Sequence, residues 1–203
     1  MRRATVLACV LAGCGGSRAV PPPAVAHDPG YPAGPYGYYA GGLRLPPAVL
    51  PDLLFAGKIV PVGTPAASVP AQMISLGSLR DGVRFFVLDV AAEWCSDCVG
   101  DQPAMMQLEA DYAAKGVLGL QVITEAAIGV PPTLDNLDRW SSAYAATGVI
   151  LLDAKLEFET AAGITEFPTY YIVETATMRI FRISTSPLVA APLGPILDSL
   201  LAQ

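Results

Sequence analysis

The two cysteines of Trp94-Cys95-Ser96-Asp97-Cys98 constrain the fold most, because they separate an apolar run from a helical pattern. Residues 83–88 have the composition of a buried strand, and a helix is predicted over residues 98–115. A helix N-terminus carries partial positive charge and stabilises a thiolate. We therefore predict a redox-active disulfide pair, with Cys95 as the nucleophile and Cys98 as the resolving thiol.

Two other uses of a cysteine pair remain open. Half of a zinc site would need two further Cys or His ligands, and the chain has four Cys and one His, His27. An inert structural disulfide is the second alternative, although so short a loop restricts the unfolded chain little. We expect no metal and no cofactor.

The remaining patterns alternate between strands and helices, which indicates an α/β fold with a sheet of mixed direction. Strands are predicted over residues 117–124, 149–152, 169–173 and 178–183, and helices over residues 134–147, 156–162 and 192–201. Residues 58–62 and 72–76 suggest a small strand pair that precedes the main domain.

The N-terminus has the pattern of a bacterial lipoprotein signal. Arg2 and Arg3 precede an apolar stretch, and Leu11-Ala12-Gly13-Cys14 resembles a lipobox. We predict a signal peptide over residues 1–13, lipidation of Cys14, a flexible tether rich in Gly, Pro and Tyr over residues 14–45, and a domain over residues 46–203 whose core begins near residue 70. An ordinary secretory signal with an incidental Cys14 is the alternative.

These features predict a chain attached to the lipid bilayer through Cys14 in the bacterial cell envelope, facing the periplasm or the exterior. Whether the membrane is the inner or the outer one stays open. No apolar run reaches the ~18 residues of a spanning helix. The formal net charge of −6 argues against nucleic-acid binding. Cys9 would leave with the signal, so Cys95 and Cys98 would remain as the free pair.

The segment from Asp89 to Cys98 resembles the active site of thioredoxins, with the strand-end acid, Ala92-Glu93-Trp94 and the Cys pair in register. Pro103 matches the proline that kinks the family's active-site helix. Asp101 stands where membrane-anchored reductases of the TlpA/ResA type have Glu. Residues 163–170 resemble the segment that carries the family's cis-proline, which would be Pro168.

The resemblance implies a thioredoxin-like three-layer fold, with a central mixed β-sheet flanked by helices and the extra strand–helix insert of the TlpA/ResA type near residues 117–147. It also implies site roles. Asp89 would lie partly buried beneath the pair with a raised pKa and accept the proton of Cys98. Pro168 would present its backbone to the substrate. Trp94 would shield the sulfurs, or would only pack in the hydrophobic core. Asp101 would tune or relay protons, or lie exposed in the first helical turn.

The chain departs from the thioredoxin pattern at two places. Asp97 replaces the Pro that commonly precedes the second Cys, and Glu93, Asp97 and Asp101 are expected near the sulfurs without Lys, Arg or His among them. Negative charge disfavours the thiolate, so we predict a low reduction potential and a reductant. The usual Asp-x-x-Gly turn is also missing between the last two strands, where residues 174–177 are Glu-Thr-Ala-Thr.

Together these patterns predict a thiol–disulfide oxidoreductase, of the protein-disulfide reductase type, that acts on exported proteins. Its partners would be disulfide-bearing protein substrates and a membrane dithiol electron donor, and we expect a monomer. Two alternatives are a non-catalytic binding module with the same fold and a peroxiredoxin-like peroxidase. The peroxidase normally has Thr or Ser where this chain has Ala92.

Overall fold

A seven-stranded mixed sheet, in the order β2-β1-β5-β4-β3-β6-β7, organises the chain. The structure is a computed structural model, and it describes residues 29–42, 45–144, 147–189 and 191–203. The strands are β1 Leu54–Val60, β2 Gln72–Ser75, β3 Phe85–Ala92, β4 Val117–Glu125, β5 Gly148–Leu152, β6 Thr169–Glu174 and β7 Arg179–Ser184. The helices are α1 Ser96–Tyr112, α2 Leu134–Ala143, α3 Glu157–Ala162 and α4 Gly194–Leu201.

The central strand β3 is buried along its whole length, because both faces of the sheet are covered. It runs parallel to β4 and antiparallel to β6, and β4 runs parallel to β5. Phe85 and Val87 pack with residues of α1 and α4, whereas Phe86 and Leu88 pack on the opposite face with Phe158 of α3. The expected α/β fold of three layers is confirmed.

The strand and helix positions predicted from the sequence are confirmed with small shifts in their ends. The helix expected from Cys98 begins at Ser96, and α2 ends at Ala143 rather than at residue 147. Gly116 adopts the left-handed conformation, with φ of 84°, and closes the short 3-10 turn that follows α1. Such a φ favours glycine because it lacks a Cβ.

The expected strand pair before the domain is part of the sheet itself. β1 lies between β2 and β5 and is antiparallel to both. The chain before it, residues 48–53, is fully buried and belongs to the core on the α3 face. The core therefore includes residues well before position 70, and the boundary expected there is too late.

Residues 29–42 lie against the domain, whereas their composition predicted part of a flexible tether. The Tyr31 hydroxyl donates to the Leu50 carbonyl at 2.7 Å, and the backbone of Gly37 donates to Val49 at 3.0 Å. The Tyr38 ring contacts Phe158 at a centroid distance of 5.8 Å. The signal peptide, Cys14 and His27 lie outside the described residues.

Among the helices in the described ranges, none has the length and apolar character needed to cross a bilayer.

Candidate active site

The Cys95–Cys98 pair lies where β3 ends and α1 begins. Cys95 is the N-cap residue of α1, and the backbone N–H of Cys98 donates to its Sγ at 3.0 Å. The two sulfurs are joined at 2.19 Å. Cys98 is fully buried, whereas Cys95 is 5% exposed, so Cys95 is the more accessible sulfur. The N–H group and the helix N-terminus both favour negative charge on Cys95 Sγ.

Asp89 lies on β3 beneath α1 and is completely buried. Burial raises the pKa of Asp89 from 3.8 to about 7; a hydrogen bond from Gln102 opposes this shift, and the nearby carboxylates of Asp101 and Glu109 add to it. The Gln102 amide lies 3.5 Å from Asp89 Oδ2 and also donates to the Cys98 carbonyl at 3.1 Å. Gln102 thus connects the buried acid to the backbone of Cys98.

Asp101 is buried rather than exposed in the first helical turn. Its Oδ2 accepts a hydrogen bond from the Tyr170 hydroxyl at 2.7 Å and another from the backbone N–H of Leu188 at 2.6 Å. Burial, with Asp89 and Asp101 nearby, raises the pKa of Tyr170, so its hydroxyl remains a donor. Asp101 therefore ties α1 to β6 and to the segment that precedes α4.

Trp94 lies at the surface beside Cys95 and is 45% exposed, so it is not a core residue. Its indole Nε1 donates to Glu125 Oε2 at 2.7 Å, and its ring meets Phe167 edge-to-face at 5.7 Å between centroids. The Phe167–Pro168 peptide bond is cis, as the resemblance implied. An exposed aromatic ring next to a redox cysteine offers an apolar surface to a partner.

Glu93, two residues before Cys95, has a cationic partner on α2 that was not predicted from the sequence. The Arg139 guanidinium lies 2.7 Å from Glu93 Oε2, and the Asn136 amide donates to the same oxygen at 2.8 Å. No Lys, Arg or His was expected among the acids near the sulfurs, but Glu93 has a basic partner in three dimensions. Its negative charge is partly balanced, which weakens the electrostatic argument for a low potential.

Glu109 of α1 carries a second largely buried carboxyl group, which faces β4. Burial raises the pKa of Glu109 to about 7. The side chain lies over Gly119 of β4, where a Cβ would come within 2.6 Å of Glu109 Cγ. The carboxyl group therefore occupies the space that a side chain at position 119 would need.

Four residues of this region were not predicted from the sequence: Gln102, Glu125, Arg139 and Glu109. Gln102 follows Cys98 by four residues, so helical spacing places both on one face of α1. Glu125 ends β4 beside the end of β3, and carboxyl ends of parallel strands are where α/β sites are found. Those two signals were present in the sequence, whereas the contact of Arg139 with Glu93 depends on how α2 packs.

The strand order and the position of the Cys pair at the carboxyl end of β3 define a thioredoxin-like fold. Solved structures share it at low sequence identity. A protein described as a thiol:disulfide interchange protein, DsbE, from Chlorobium tepidum is 22% identical, with 74% of this chain and 94% of that chain covered and a TM-score of 0.57. The exposed lipoprotein thioredoxin of Streptococcus pneumoniae is 18% identical, with 75% and 99% covered and a TM-score of 0.54.

A 2-Cys peroxiredoxin of Plasmodium vivax also shares the fold, at 8% identity, with 76% of this chain and 79% of that chain covered and a TM-score of 0.56. These similarities show the fold alone, and the chemistry has to be argued from the site. No protein-family model and no curated protein sequence matches the chain.

Proposed function

We propose that this protein is a thiol–disulfide oxidoreductase that reduces disulfides of exported proteins through Cys95 and Cys98. One observation carries the proposal: a Cys pair caps the N-terminus of α1, and a buried carboxyl whose pKa is about 7 lies below it, connected through Gln102. An inert disulfide would need neither the helix terminus nor a buried acid that titrates near neutral pH.

The first step is attack by the Cys95 thiolate on one sulfur of a substrate disulfide. A bond forms between Cys95 Sγ and that sulfur, and the other substrate sulfur leaves as a thiolate and takes a proton from solvent. Cys95 is suited to this step because it is the more accessible sulfur and its thiolate lies at the positive end of α1.

The second step releases the substrate. Cys98 loses its proton to Asp89, attacks Cys95 Sγ and forms the Cys95–Cys98 disulfide, and the second substrate thiolate leaves. Two electrons have then passed from the enzyme dithiol to the substrate disulfide. A pKa of about 7 lets Asp89 both accept and release a proton at neutral pH.

The substrate surface in this proposal combines Trp94 with the cis-proline segment. Trp94 and Phe167 make an edge-to-face contact beside Cys95, and Phe167 directly precedes Pro168. The backbone at Pro168 would pair with an extended substrate segment, and Asp101 would act indirectly by holding α1 against β6.

We propose that the protein lies in the bacterial cell envelope, is anchored through Cys14 and receives electrons from a membrane dithiol carrier, as the resemblance to the TlpA/ResA type implies. The support for this location is the lipobox-like sequence before Cys14 and the stretch before it, in which Arg2 and Arg3 precede apolar residues. The direction of electron flow rests on Asp97, an exposed acid inside the motif without a basic partner among the ion pairs of the described residues.

The decisive measurement is the reduction potential of the Cys95–Cys98 pair in the full chain, equilibrated with graded dithiol buffers. We expect a reversible two-electron titration near the potential of thioredoxin, about −270 mV, and not near that of DsbA, about −120 mV. A reversible titration at the higher value would keep the redox chemistry and reverse the direction. If the pair does not titrate reversibly, the non-catalytic binding module is the remaining function.

Variants of the two cysteines test the assigned roles. Cys98→Ser should accumulate a mixed disulfide between Cys95 and a substrate protein, because the resolving thiol is gone. Cys95→Ser should accumulate none and should lose insulin reduction. Equal trapping by both variants would contradict the assignment of nucleophile and resolving thiol.

A further inference from the structure

A short loop beside the active site exposes apolar side chains that the proposed mechanism does not use. Ile128 is 78% exposed and Val130 is 48% exposed. Together with Ala127 and Gly129 they form the loop after β4, which we call the 127–130 loop. A single exposed apolar residue is ordinary, but two on one loop next to an exposed Trp94 form a patch that suggests recognition.

Hydrogen bonds hold the 127–130 loop in one shape. Ala127 and Val130 form a bridge in which the Val130 N–H donates to the Ala127 carbonyl at 2.8 Å. The Ala126 N–H donates to the Val130 carbonyl at 2.9 Å. Gly129 has φ of 69°, which suits the tight reversal. The exposed side chains are therefore presented by an ordered turn.

One buried carboxylate joins this loop to the active site. Glu125 is 6% exposed, and its two oxygens accept different donors. Oε1 accepts from the Gly129 N–H at 2.8 Å, and Oε2 accepts from the Trp94 indole at 2.7 Å. In addition, the Glu93 N–H donates to the Glu125 carbonyl at 2.9 Å. The loop is thus fixed relative to the residues that directly precede Cys95.

The apolar patch continues on the other side of Trp94. The Trp94 ring contacts Phe167, so a chain of contacts runs from Phe167 through Trp94 and Glu125 to the 127–130 loop. Two exposed acids border this region: Asp97 lies inside the Cys motif, and Glu166 precedes Phe167. Arg139 is engaged by Glu93. The patch therefore offers apolar surface with acidic neighbours.

We infer that the 127–130 loop is a specificity element of the proposed reductase and receives an apolar side chain that flanks the substrate's cysteine. This rests on the proposed function. The occupant is an extended segment of a protein substrate that carries this apolar residue and, because Asp97 and Glu166 are acidic, a basic residue on the other side of its cysteine.

The test uses disulfide-linked peptides of equal length that carry Leu or Ser on one side of the cysteine and Lys or Glu on the other. Each of these four combinations is made in both orders, which gives eight peptides. The fully reduced full-length chain is mixed with each, and the second-order rate constant is measured in single turnover. Burial of about 50 Å² of apolar surface corresponds to about an eightfold preference for Leu over Ser. We expect the Lys peptides to react faster than the Glu peptides, and this difference to shrink at high salt.

Ile128→Ser should reduce the Leu preference to about twofold or less while leaving the rate with the Ser peptides unchanged. Val62→Ser is the matched control, because Val62 is also a strongly exposed apolar residue, at 89% against 78% for Ile128. It lies just past β1, whose last residue pairs with Gly148 at the start of β5. The control should keep the full preference. Circular dichroism and the reduction potential of each variant establish that the fold and the redox pair are intact.

A Leu preference that survives in Ile128→Ser, or an equal loss in Val62→Ser, would overturn the role of the loop. The proposed function would stand in that case, because the wild-type chain would still reduce the peptides. Absence of any reduction by the wild-type chain, with a pair that does not titrate reversibly, would instead remove the proposed function.

Discussion

Replacement of Asp89 by Asn should stabilise the oxidised protein, and more so as the pH rises. Asp89 is completely buried, and its pKa is about 7 in the folded chain against 3.8 for an ordinary aspartate. The folded state therefore binds more protons than the unfolded state between these two values. Stability due to this group is highest below the lower value and falls as the pH rises to about 7.

The size of the effect follows from the difference in pKa. A change of one in pKa corresponds to about 1.4 kcal/mol, so ionised Asp89 lowers the free energy of unfolding by up to about 4 kcal/mol above neutral pH. Part of that loss has already occurred at mildly acidic pH. Between about pH 5 and about pH 8.5 we expect the advantage of Asp89→Asn over the wild type to grow by about 3 kcal/mol.

Urea unfolding of the oxidised chain at these two pH values is the assay, with the free energy of unfolding taken from each curve. Asp81→Asn is the matched control, because it makes the same substitution at an exposed aspartate. Glu109 also titrates near pH 7, but it is present in both chains and largely cancels. An Asp89→Asn difference that stays constant with pH would refute the assignment of a buried acid with a raised pKa.

Gly119→Ala should destabilise the protein by about 1 to 3 kcal/mol, because its Cβ would overlap the Glu109 side chain. The same change in a Glu109→Ala background should have little effect in urea unfolding, and additive effects would show that the two positions do not compete for space. Arg139→Gln removes the cation beside Glu93, so the thiolate should become less favourable and the reduction potential more negative. Because the Arg139 side chain is 61% exposed, the shift should stay below about 20 mV, and Arg182→Gln on β7 should not reproduce it in the same redox titration.

The fold was predictable mainly where local patterns decide it. The apolar runs of β3, β4 and β6, the glycine after α1 and the two-residue spacing of Cys95 and Cys98 all act within a few residues. β1 was harder to recognise as part of the sheet. The pattern of an inner strand is obscured by Leu54, which is exposed at its start, and by Lys58, which is buried and charged. The Lys58 ammonium lies 2.6 Å from Asp138 Oδ1.

The environment of the Cys pair was less predictable because it depends on distant partners. Arg139 is separated from Glu93 by 46 residues, and Trp94 from Glu125 by 31. Three acids near the sulfurs were predictable from the motif, but which of them would be paired was not. Asp101 illustrates the point: its neighbours are the Tyr170 hydroxyl and the Leu188 N–H, which only the packing of α1 on β6 brings together.

The buried segment at residues 48–53 has a consequence for the order of folding. The Ala48 carbonyl and the Leu50 N–H bond to the chain around β7, and β1 directly after the segment pairs with β5. This early part of the chain therefore finds its neighbours only after residues near 150 and 180 have been synthesised. Until then Leu50, Leu53 and Phe55 lack their partners, and a nascent chain exposes them to solvent or to chaperones. Folding should consequently be completed only after nearly the whole polypeptide has emerged.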